Sequence, residues 1–256
     1  MGILNLTPDS FSDGGKYDTL DKALQRCAEM IEEGADIIDI GAESSRPGYI
    51  PVPAEEQIDR LLPVLERIKK EFDIPVSVDT ADAKVAEAVI ETGCDLINDI
   101  KGLMGDSDMA EIIARGRAAC VLMHNRETPG YTDFFKNVKG DLRESVKRAV
   151  LAGVEKDRII LDPGIGFAKN YEQNLEVLRR LKELQRLHHP ILLGTSRKSV
   201  IGLTLNLPTD ERIEGTIATT VVGVMSGVSF VRVHDIKENV RSIRMTEAIM
   251  GRTVRS

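Results

Sequence analysis

The sequence predicts an α/β fold of the (β/α)8 TIM-barrel class, as a single domain over residues 1–256. Short runs rich in Ile, Val and Leu alternate with longer stretches of helical period, and there are eight such runs. Each run ends in, or is soon followed by, a polar residue, and a barrel active site needs such a ring at its strand ends. These residues are Asn5, Glu43, Asp79, Asn98, His124, Asp162, Lys198 and His234.

The eight apolar runs are the predicted strands. They do not alternate polar with apolar residues, which is typical of parallel strands buried on both faces. The predicted strands are Gly2–Leu6, Asp36–Ile40, Val76–Asp79, Leu96–Asn98, Ala119–Met123, Ile159–Asp162, Ile191–Gly194 and Ser229–Val233.

The stretches between the strands are predicted to be helices. After the first strand, apolar residues recur at spacings of four, three and four, and Gly34 stands where a helix normally ends. After the second strand a similar stripe follows Pro53, which suits the first turn of a helix. Pro63 lies inside this stripe, so we expect a kink or a split there. The two stripes consist of Leu20, Leu24, Cys27 and Ile31, and of Ile58, Leu61, Leu65, Ile68 and Phe72.

An open doubly wound sheet is the alternative architecture for such an alternation. It usually gathers its ligand groups near one switch point, whereas here all eight strands have polar ends, which favours the barrel. The length of 256 residues suits a one-domain barrel, and an apolar content of 42% without Trp predicts an aliphatic core. No change in composition indicates a second domain.

Composition also excludes several classes of protein. A net charge of −7 argues against a broad nucleic-acid interface. No apolar run approaches the roughly 20 residues that cross a bilayer, and no signal peptide is visible. Cys27, Cys94 and Cys120 form no CxxC pair, so we expect reduced thiols in a cytoplasmic protein rather than metal ligands.

Asp79, Asn98 and Asp162 end the third, fourth and sixth predicted strands. A carboxylate beside an amide can bind a flat heterocycle that offers both N–H donors and ring acceptors. Each residue taken alone could merely cap the helix that follows it. Three of them on separate strands of one barrel make capping an insufficient account, so we expect a heterocycle site.

Two basic segments, Gly194–Ser199 and Arg232–Asp235, follow the seventh strand and end the eighth. The loops after these strands often form a phosphate site in such barrels. Arg232 and His234 lie two residues apart, so on a strand their side chains point the same way, and Lys198 opens a predicted helix. The alternative is a solvated basic surface. Basic residues that cluster at this position in an otherwise acidic protein favour the anion site, and we expect a locally positive field there.

Two loops, residues 5–15 and 43–48, are dense in Gly, Pro, Ser and Asp, as ordered turns or mobile lids are. Phe11 either folds back onto the barrel or closes over a bound ring, and spacing alone leaves both readings open. Asp162–Phe167 has a similar composition, and its two glycines allow close backbone approach to a ligand.

A metal site built only from protein side chains is not expected, because the four histidines show no ligand spacing. A Mg²⁺ shared between the phosphate oxygens of a bound ligand and one or two protein oxygens is compatible with the sequence. Nucleophilic catalysis has little support, since there is no GxSxG motif and no cysteine in a basic setting.

Seven segments resemble the signatures of the dihydropteroate synthase family, and the resemblance runs from Met1 to about residue 250. Each segment alone is a weak signal, but seven in the family's order at predicted strand ends are very specific. The segments are Met1–Gly15, Asp39–Gly48, Ser77–Thr80, Ile97–Asp99, Asp162–Phe167, Ser196–Ser199 and Arg232–Asp235.

The resemblance implies a role for each matching residue. Those that match the pterin site are Asp79, Asn98, Asp162 and Lys198, with Asp162 facing the pyrimidine ring. Those that match the pyrophosphate side are Asn5, Ser45, Arg46, Arg232 and His234, with Asn5 at the position associated with Mg²⁺. Those that would shape the p-aminobenzoate pocket are Phe11, Pro47, Phe167 and Ser199. The implied catalytic residues are Asp79, Lys198, Arg232 and His234.

The resemblance also implies an enzyme of folate biosynthesis that joins a pterin pyrophosphate to p-aminobenzoate. It further implies that the enzyme is a homodimer and a target of sulfonamides. The C–O bond to pyrophosphate would break first, and the amine would then attack the pterin cation without a strong base. The chain departs from the family pattern at two places. Ser45 stands where Thr is usual, which keeps the hydroxyl, and the first signature begins at Met1, where members usually have a preceding segment.

Two other functions compete with this one. A methyltetrahydrofolate-dependent methyltransferase resembles the family in barrel and pterin pocket, but it has no pyrophosphate to bind, so Ser196–Ser199 and Arg232–His234 argue against it. A barrel that binds pterin without catalysis is the second competitor. Release of pyrophosphate by the purified protein discriminates the synthase from both.

Overall fold

The computed structural model describes residues 1–6, 16–43 and 52–253. In this part of the chain, eight strands are parallel to their neighbours. The strands are Gly2–Asn5 (β1), Ile38–Gly41 (β2), Val76–Asp79 (β3), Leu96–Asp99 (β4), Ala119–Met123 (β5), Ile159–Asp162 (β6), Leu192–Gly194 (β7) and Phe230–Arg232 (β8).

The strands follow one another around a closed barrel. β1 to β6 are hydrogen-bonded in chain order, and β7 pairs with β8. Two parallel bridges join these groups: Leu161 to Ile191 between β6 and β7, and Gly2 to Val233 between β1 and the end of β8. The Val233 carbonyl accepts from the Ile3 amide at 3.1 Å. The predicted (β/α)8 barrel is therefore confirmed.

Helices follow the strands and cover the outside of the barrel. They are Lys16–Glu32 (α1), Ala54–Glu71 (α2), Ala83–Glu91 (α3), Met109–Gly116 (α4), Phe134–Leu151 (α5), Tyr171–Arg179 (α6), Leu181–Leu184 (α7), Ser199–Leu205 (α8), Ile213–Met225 (α9) and Ile236–Ile249 (α10). None of the helices in the described ranges is both long and apolar enough to cross a membrane.

The first two helices test the predicted helix ends and the predicted effect of Pro63. α1 ends at Glu32, and Gly34 adopts a positive φ of 99° just beyond it, as predicted. α2 begins directly after Pro53 and runs unbroken through Pro63, so the helix is not split there. Pro63 lies on the exposed face of α2, where water can hydrate the carbonyl that its missing N–H leaves free.

The barrel interior changes from apolar to polar along the strands. A cluster of Leu96, Val121, Ile160, Leu192 and Met1 fills it at mid-height and below, with Phe230 packed against the cluster. Residues two apart on a strand face the same side. The positions two residues after Leu96 on β4, Ile160 on β6 and Phe230 on β8 therefore also face the interior, at the carboxyl ends of these strands. Those positions hold Asn98, Asp162 and Arg232.

Candidate active site

The carboxyl ends of β3, β4 and β6 place Asp79, Asn98 and Asp162 in one buried polar layer. Asp79 and Asn98 are direct partners in the register of β3 and β4, so their side chains are neighbours. All three side chains are buried. The structure thus brings the predicted heterocycle residues together at the mouth of the barrel.

Arg232 joins this layer from β8. Its Nη2 donates to Oδ2 of Asp79 at 2.9 Å, and its Nε donates to Oδ2 of Asp39 at 2.5 Å. The Nδ2 of Asn98 lies 3.4 Å from the same oxygen of Asp39. The cation assigned by resemblance to the pyrophosphate side therefore lies beside the carboxylate assigned to the pterin.

Asp39 is a site residue that sequence reasoning missed. It is fully buried on β2, inside the barrel, two positions before Gly41. The available signal was a carboxylate between Ile38 and Ile40 in an otherwise apolar run, because an Asp is seldom fully buried unless it has a partner. Its Oδ1 has no hydrogen-bond partner among the described residues, and neither does Oγ of Ser77, its register neighbour on β3.

Burial dominates the electrostatics of this layer. It raises the pKa of Asp79 to about 7, although the charge of Arg232 opposes the rise. Burial also raises the pKa of Asp162, and the charge of Lys198 opposes that rise. The two cations are therefore what favours ionised carboxylates here.

Asp162 is fixed by the loop that follows β6. Its Oδ1 accepts from the backbone N–H of Gly164 at 2.7 Å, and Gly164 has a positive φ of 67°. Gly194, at the end of β7, leaves room on the other side, since a methyl group there would lie 3.7 Å from Oδ2 of Asp162. One carboxylate oxygen is thus held by backbone while the other faces a space without a side chain.

Lys198 lies across the mouth from β3, at the N-terminal cap of α8. Its Nζ donates to the carbonyl oxygen of Ile165 and lies 4.5 Å from the centre of the Phe167 ring. Burial lowers the pKa of Lys198 to about 8, opposed by the charge of Asp162. Phe167 is thus beside Lys198, while Ser199 is exposed at the first turn of α8.

His234 lies just beyond β8. Its Nδ1 is 2.9 Å from Oγ of Ser196, and its backbone N–H donates to the same oxygen at 3.2 Å. Arg197 is paired with Asp235 through two hydrogen bonds. The two basic segments are therefore joined to each other, but Arg232 faces the acidic layer while His234 faces Ser196.

Asn5 ends β1 beside Asp79. A methyl group built on Gly41 would lie 3.5 Å from Cβ of Asp79 and 3.9 Å from Oδ1 of Asn5. The side-chain amide of Asn5 makes no hydrogen bond within the described part of the chain. A neutral amide oxygen beside a carboxylate, with no partner among the residues that the structure describes, fits one ligand of a Mg²⁺ that takes its other ligands from phosphate and water.

Four predicted site residues lie outside the described residues: Phe11, Ser45, Arg46 and Pro47.

Elsewhere, burial raises the pKa of the Cys27 thiol to about 11 and that of Cys94 and Cys120 to about 12, so none of the three is activated as a nucleophile. A cavity of about 240 Å³ borders the segment before β7 rather than the polar layer, and its lining includes Arg143, Arg186, His188 and His189.

Known proteins resemble this chain along nearly its whole length. The family model described as pterin binding enzyme matches residues 1–234. The dihydropteroate synthase of Clostridium beijerinckii is 56% identical over 253 residues, which cover 98% of this chain and 94% of the relative.

Solved structures agree with that match. Dihydropteroate synthase from Clostridium difficile, crystallised in the presence of pteroic acid, is 51% identical with a TM-score of 0.95, over 97% of this chain and 95% of that chain. The enzyme from Xanthomonas albilineans with 4-aminobenzoic acid is 38% identical with a TM-score of 0.94, over 99% and 93% of the two chains. With the barrel and its buried polar layer, these likenesses show that the chain belongs to the pterin-binding enzyme family, among the dihydropteroate synthases.

Proposed function

We propose that the buried layer of Asp79, Asn98, Asp162 and Lys198 binds the pterin ring of 6-hydroxymethyl-7,8-dihydropterin pyrophosphate. The chain then condenses this substrate with p-aminobenzoate to give 7,8-dihydropteroate and pyrophosphate. The observation that carries the proposal is the position of Asp79, Asn98 and Asp162 in one buried layer at the carboxyl ends of the barrel strands, with Lys198 at the same mouth. Two carboxylates, an amide and an ammonium supply acceptors and donors for both kinds of group on a pterin edge.

The ligands of related structures support this assignment. The Clostridium difficile enzyme was crystallised with pteroic acid and the Xanthomonas albilineans enzyme with 4-aminobenzoic acid. Those two molecules contain the pterin and the aryl amine that the proposed reaction joins. The same chemistry accounts for the mixture of apolar and charged groups around Lys198 and Phe167.

Arg232 and His234 would stabilise the pyrophosphate as it leaves, with help from Ser45 and Arg46. A guanidinium has five N–H donors, and among the described residues Arg232 bonds only to Asp39 and Asp79, through its Nε and one Nη. The remaining donors are available to an anion that enters from the mouth. Donors that are already fixed in place lower the free energy of a charged transition state most effectively.

In the first step, the C–O bond between the pterin methylene and pyrophosphate breaks, and the electron pair leaves with pyrophosphate. The cation that remains is stabilised by its own ring. In the second step, the lone pair of the aryl amine forms the C–N bond, and the amine proton leaves to solvent. A weakly basic aryl amine needs no strong general base, because the anilinium that forms is acidic and loses its proton readily.

Asn5 is the residue that would hold Mg²⁺, together with pyrophosphate oxygens. When bound, the metal ion neutralises negative charge on the leaving group. Asn5 would contribute one neutral oxygen to the metal ion, and the neighbouring carboxylate of Asp79 would add negative charge near it.

The pocket for p-aminobenzoate would form beside Lys198. Phe167 and Ser199 border that position, and Phe11 and Pro47 are the other two residues that the family resemblance assigns to it. Pyrophosphate would have to be bound before p-aminobenzoate, so the substrates would bind in sequence.

The same proposal includes a cytoplasmic homodimer. α9 and α10 pack together, with Thr220 bonded to Asn239, and they expose large apolar side chains. Met225, Met245 and Ile249 are 61%, 62% and 74% exposed. An isologous pairing of such a face would bury these side chains. Three buried free thiols suit a reducing compartment.

Titration calorimetry tests the proposed order of binding. p-Aminobenzoate should bind only when pyrophosphate, Mg²⁺ and a pterin are already present, and Asn5→Ala should raise the Mg²⁺ concentration required by about tenfold. Binding of p-aminobenzoate to the free protein with the same affinity would overturn the sequential mechanism. An unchanged Mg²⁺ requirement would overturn the role of Asn5.

A further inference from the structure

Lys169 lies in the loop between β6 and α6. It is not part of the pterin layer, by which we mean Asp79, Asn98, Asp162 and Lys198. Its Nζ is 2.8 Å from the carbonyl oxygen of Gly164, 2.9 Å from that of Phe167 and 2.8 Å from Nδ1 of His124. An ammonium has three protons, so these three acceptors satisfy it completely. One half-buried side chain therefore ties two points of the loop to the end of β5.

His124 is held so that it can accept from Lys169. Its Nε2 is 3.1 Å from Oδ2 of Asp141, and that carboxylate is bound by Arg126 at 2.6 and 3.1 Å. Burial, followed by the charge of Lys169, lowers the pKa of His124 to about 3, so the ring is neutral near pH 7. A neutral ring that donates from Nε2 to a carboxylate keeps Nδ1 as an acceptor.

The loop that Lys169 holds is also the loop that holds Lys198. The carbonyls of Gly164 and Phe167 flank the carbonyl of Ile165, which accepts from Nζ of Lys198. The ring of Phe167 lies 4.5 Å from the same nitrogen. The two lysines therefore bind the same short backbone segment at neighbouring carbonyls.

We propose that Lys169, oriented by His124 and Asp141, is a positioning residue that fixes the Ile165 carbonyl and the Phe167 ring and so sets the position of Lys198. This inference rests on the proposed role of Lys198 in binding the pterin. Lys169 does not touch substrate in this account and acts only through the loop. A displacement of about 1 Å in a substrate-positioning group can cost up to about 100-fold in kcat/KM, so a loosened loop has a measurable consequence.

Lys169→Met removes the three hydrogen bonds and keeps an unbranched side chain that is one atom shorter. We expect the KM for pterin pyrophosphate to rise about tenfold or more, with kcat changed by less than about threefold. Lys139→Met is the matched control, because Lys139 is also partly buried and contacts Glu183 and the Phe135 ring, but makes no hydrogen bond to the loop among the described residues. It should leave the KM within about twofold of the wild-type value.

Asp141→Asn provides a second variant if Lys169→Met does not fold, because Asp141 is partly exposed on α5. It weakens the hold on His124 and should raise the same KM by about threefold. If Lys169→Met folds with an unchanged KM, the inference is wrong, and the same conclusion follows if only Asp141→Asn can be measured and its KM is unchanged. Turnover by the wild-type protein, together with loss of pterin binding in Lys198→Met, shows separately whether the proposed function holds.

Discussion

Nη2 of Arg232 donates to Oδ2 of Asp79 at 2.9 Å, although 153 residues separate the two in the chain. Together with Asp39, which accepts from Nε, they form a buried group that spans the barrel mouth from β8 to β3. The cationic and acidic parts of the site are therefore one hydrogen-bonded unit. The stability of each part depends on the other.

Removal of Arg232 would leave two buried carboxylates without their cation. Loss of one partner from a buried pair costs about 3–5 kcal/mol, so we expect Arg232→Met to lower the free energy of unfolding by about that amount. Adding Asp39→Asn should restore about 1–2 kcal/mol, because one stranded charge is then gone. Urea unfolding of the wild type, both single variants and the double variant measures the coupling. Simple addition of the two single losses would argue against it.

The raised pKa of Asp79 makes stability depend on pH. The carboxyl has a pKa of about 7 in the native chain against 3.8 as its ordinary value, so the native chain holds a proton that the unfolded chain has released between these values. The contribution of this group to stability therefore falls as the pH rises from about 4 to 7. The free energy of unfolding of Asp79→Asn should therefore rise relative to that of the wild type between pH 5 and pH 7.5, by on the order of 1–2 kcal/mol. Denaturant unfolding at both pH values gives the difference, which a pH-independent effect of the variant would contradict.

Lys198 should trade stability for binding. Its pKa is lowered to about 8, so below that pH the native chain holds a charge that burial disfavours, and the cost fades as the pH rises toward 10.5. Lys198→Met should keep the wild-type Tm at pH 7 or exceed it by about 2–4 °C. Pterin affinity should fall by about 30-fold or more, since loss of a buried charged donor costs at least about 2 kcal/mol in binding. A Tm several degrees lower, with wild-type affinity in calorimetry, would be the opposite result.

Gly164 is required by the loop that carries the site. It has a positive φ, and an added methyl group would collide with the backbone carbonyl of His124. Gly164→Ala should therefore cost at least about 2 kcal/mol, including about 1–2 kcal/mol for the left-handed backbone alone. Gly140→Ala is the control, because Gly140 lies inside α5 with nothing within 4 Å, and alanine there should stabilise the chain by about 0.5–1 kcal/mol. Thermal unfolding of both variants should show shifts of opposite sign.

The sequence predicted the barrel well because its signals are local. β3, β5 and β6 begin and end as predicted, since each is an apolar run between polar or turn residues. β7 and β8 are shorter than predicted, because Ile191 and Val233 form single bridges to neighbouring strands instead of continuing the ladder between β7 and β8. The polar residue that ends or soon follows each strand could be read directly from the sequence.

The contacts within the site were less accessible, because they join residues far apart in sequence. Asp39 lies in an apolar run, and nothing local shows that Arg232 reaches it from β8. Lys169 follows the second glycine of a recognised loop, but its partner His124 directly follows β5, and the Asp141 that holds His124 comes from α5. Both residues gain their importance only when the barrel closes.

Pyrophosphate release is the most direct test of the pterin layer as the reaction site. The purified protein with pterin pyrophosphate, p-aminobenzoate and Mg²⁺ should release one pyrophosphate for each dihydropteroate formed. Asp162→Asn keeps an acceptor for Gly164 but loses the charge, and its kcat/KM for pterin pyrophosphate should fall about 100-fold, or about 2.7 kcal/mol. Asp157→Asn, an exposed change just before β6, should behave as the wild type. No pyrophosphate release by the wild type, or an unchanged kcat/KM in Asp162→Asn, would contradict the account.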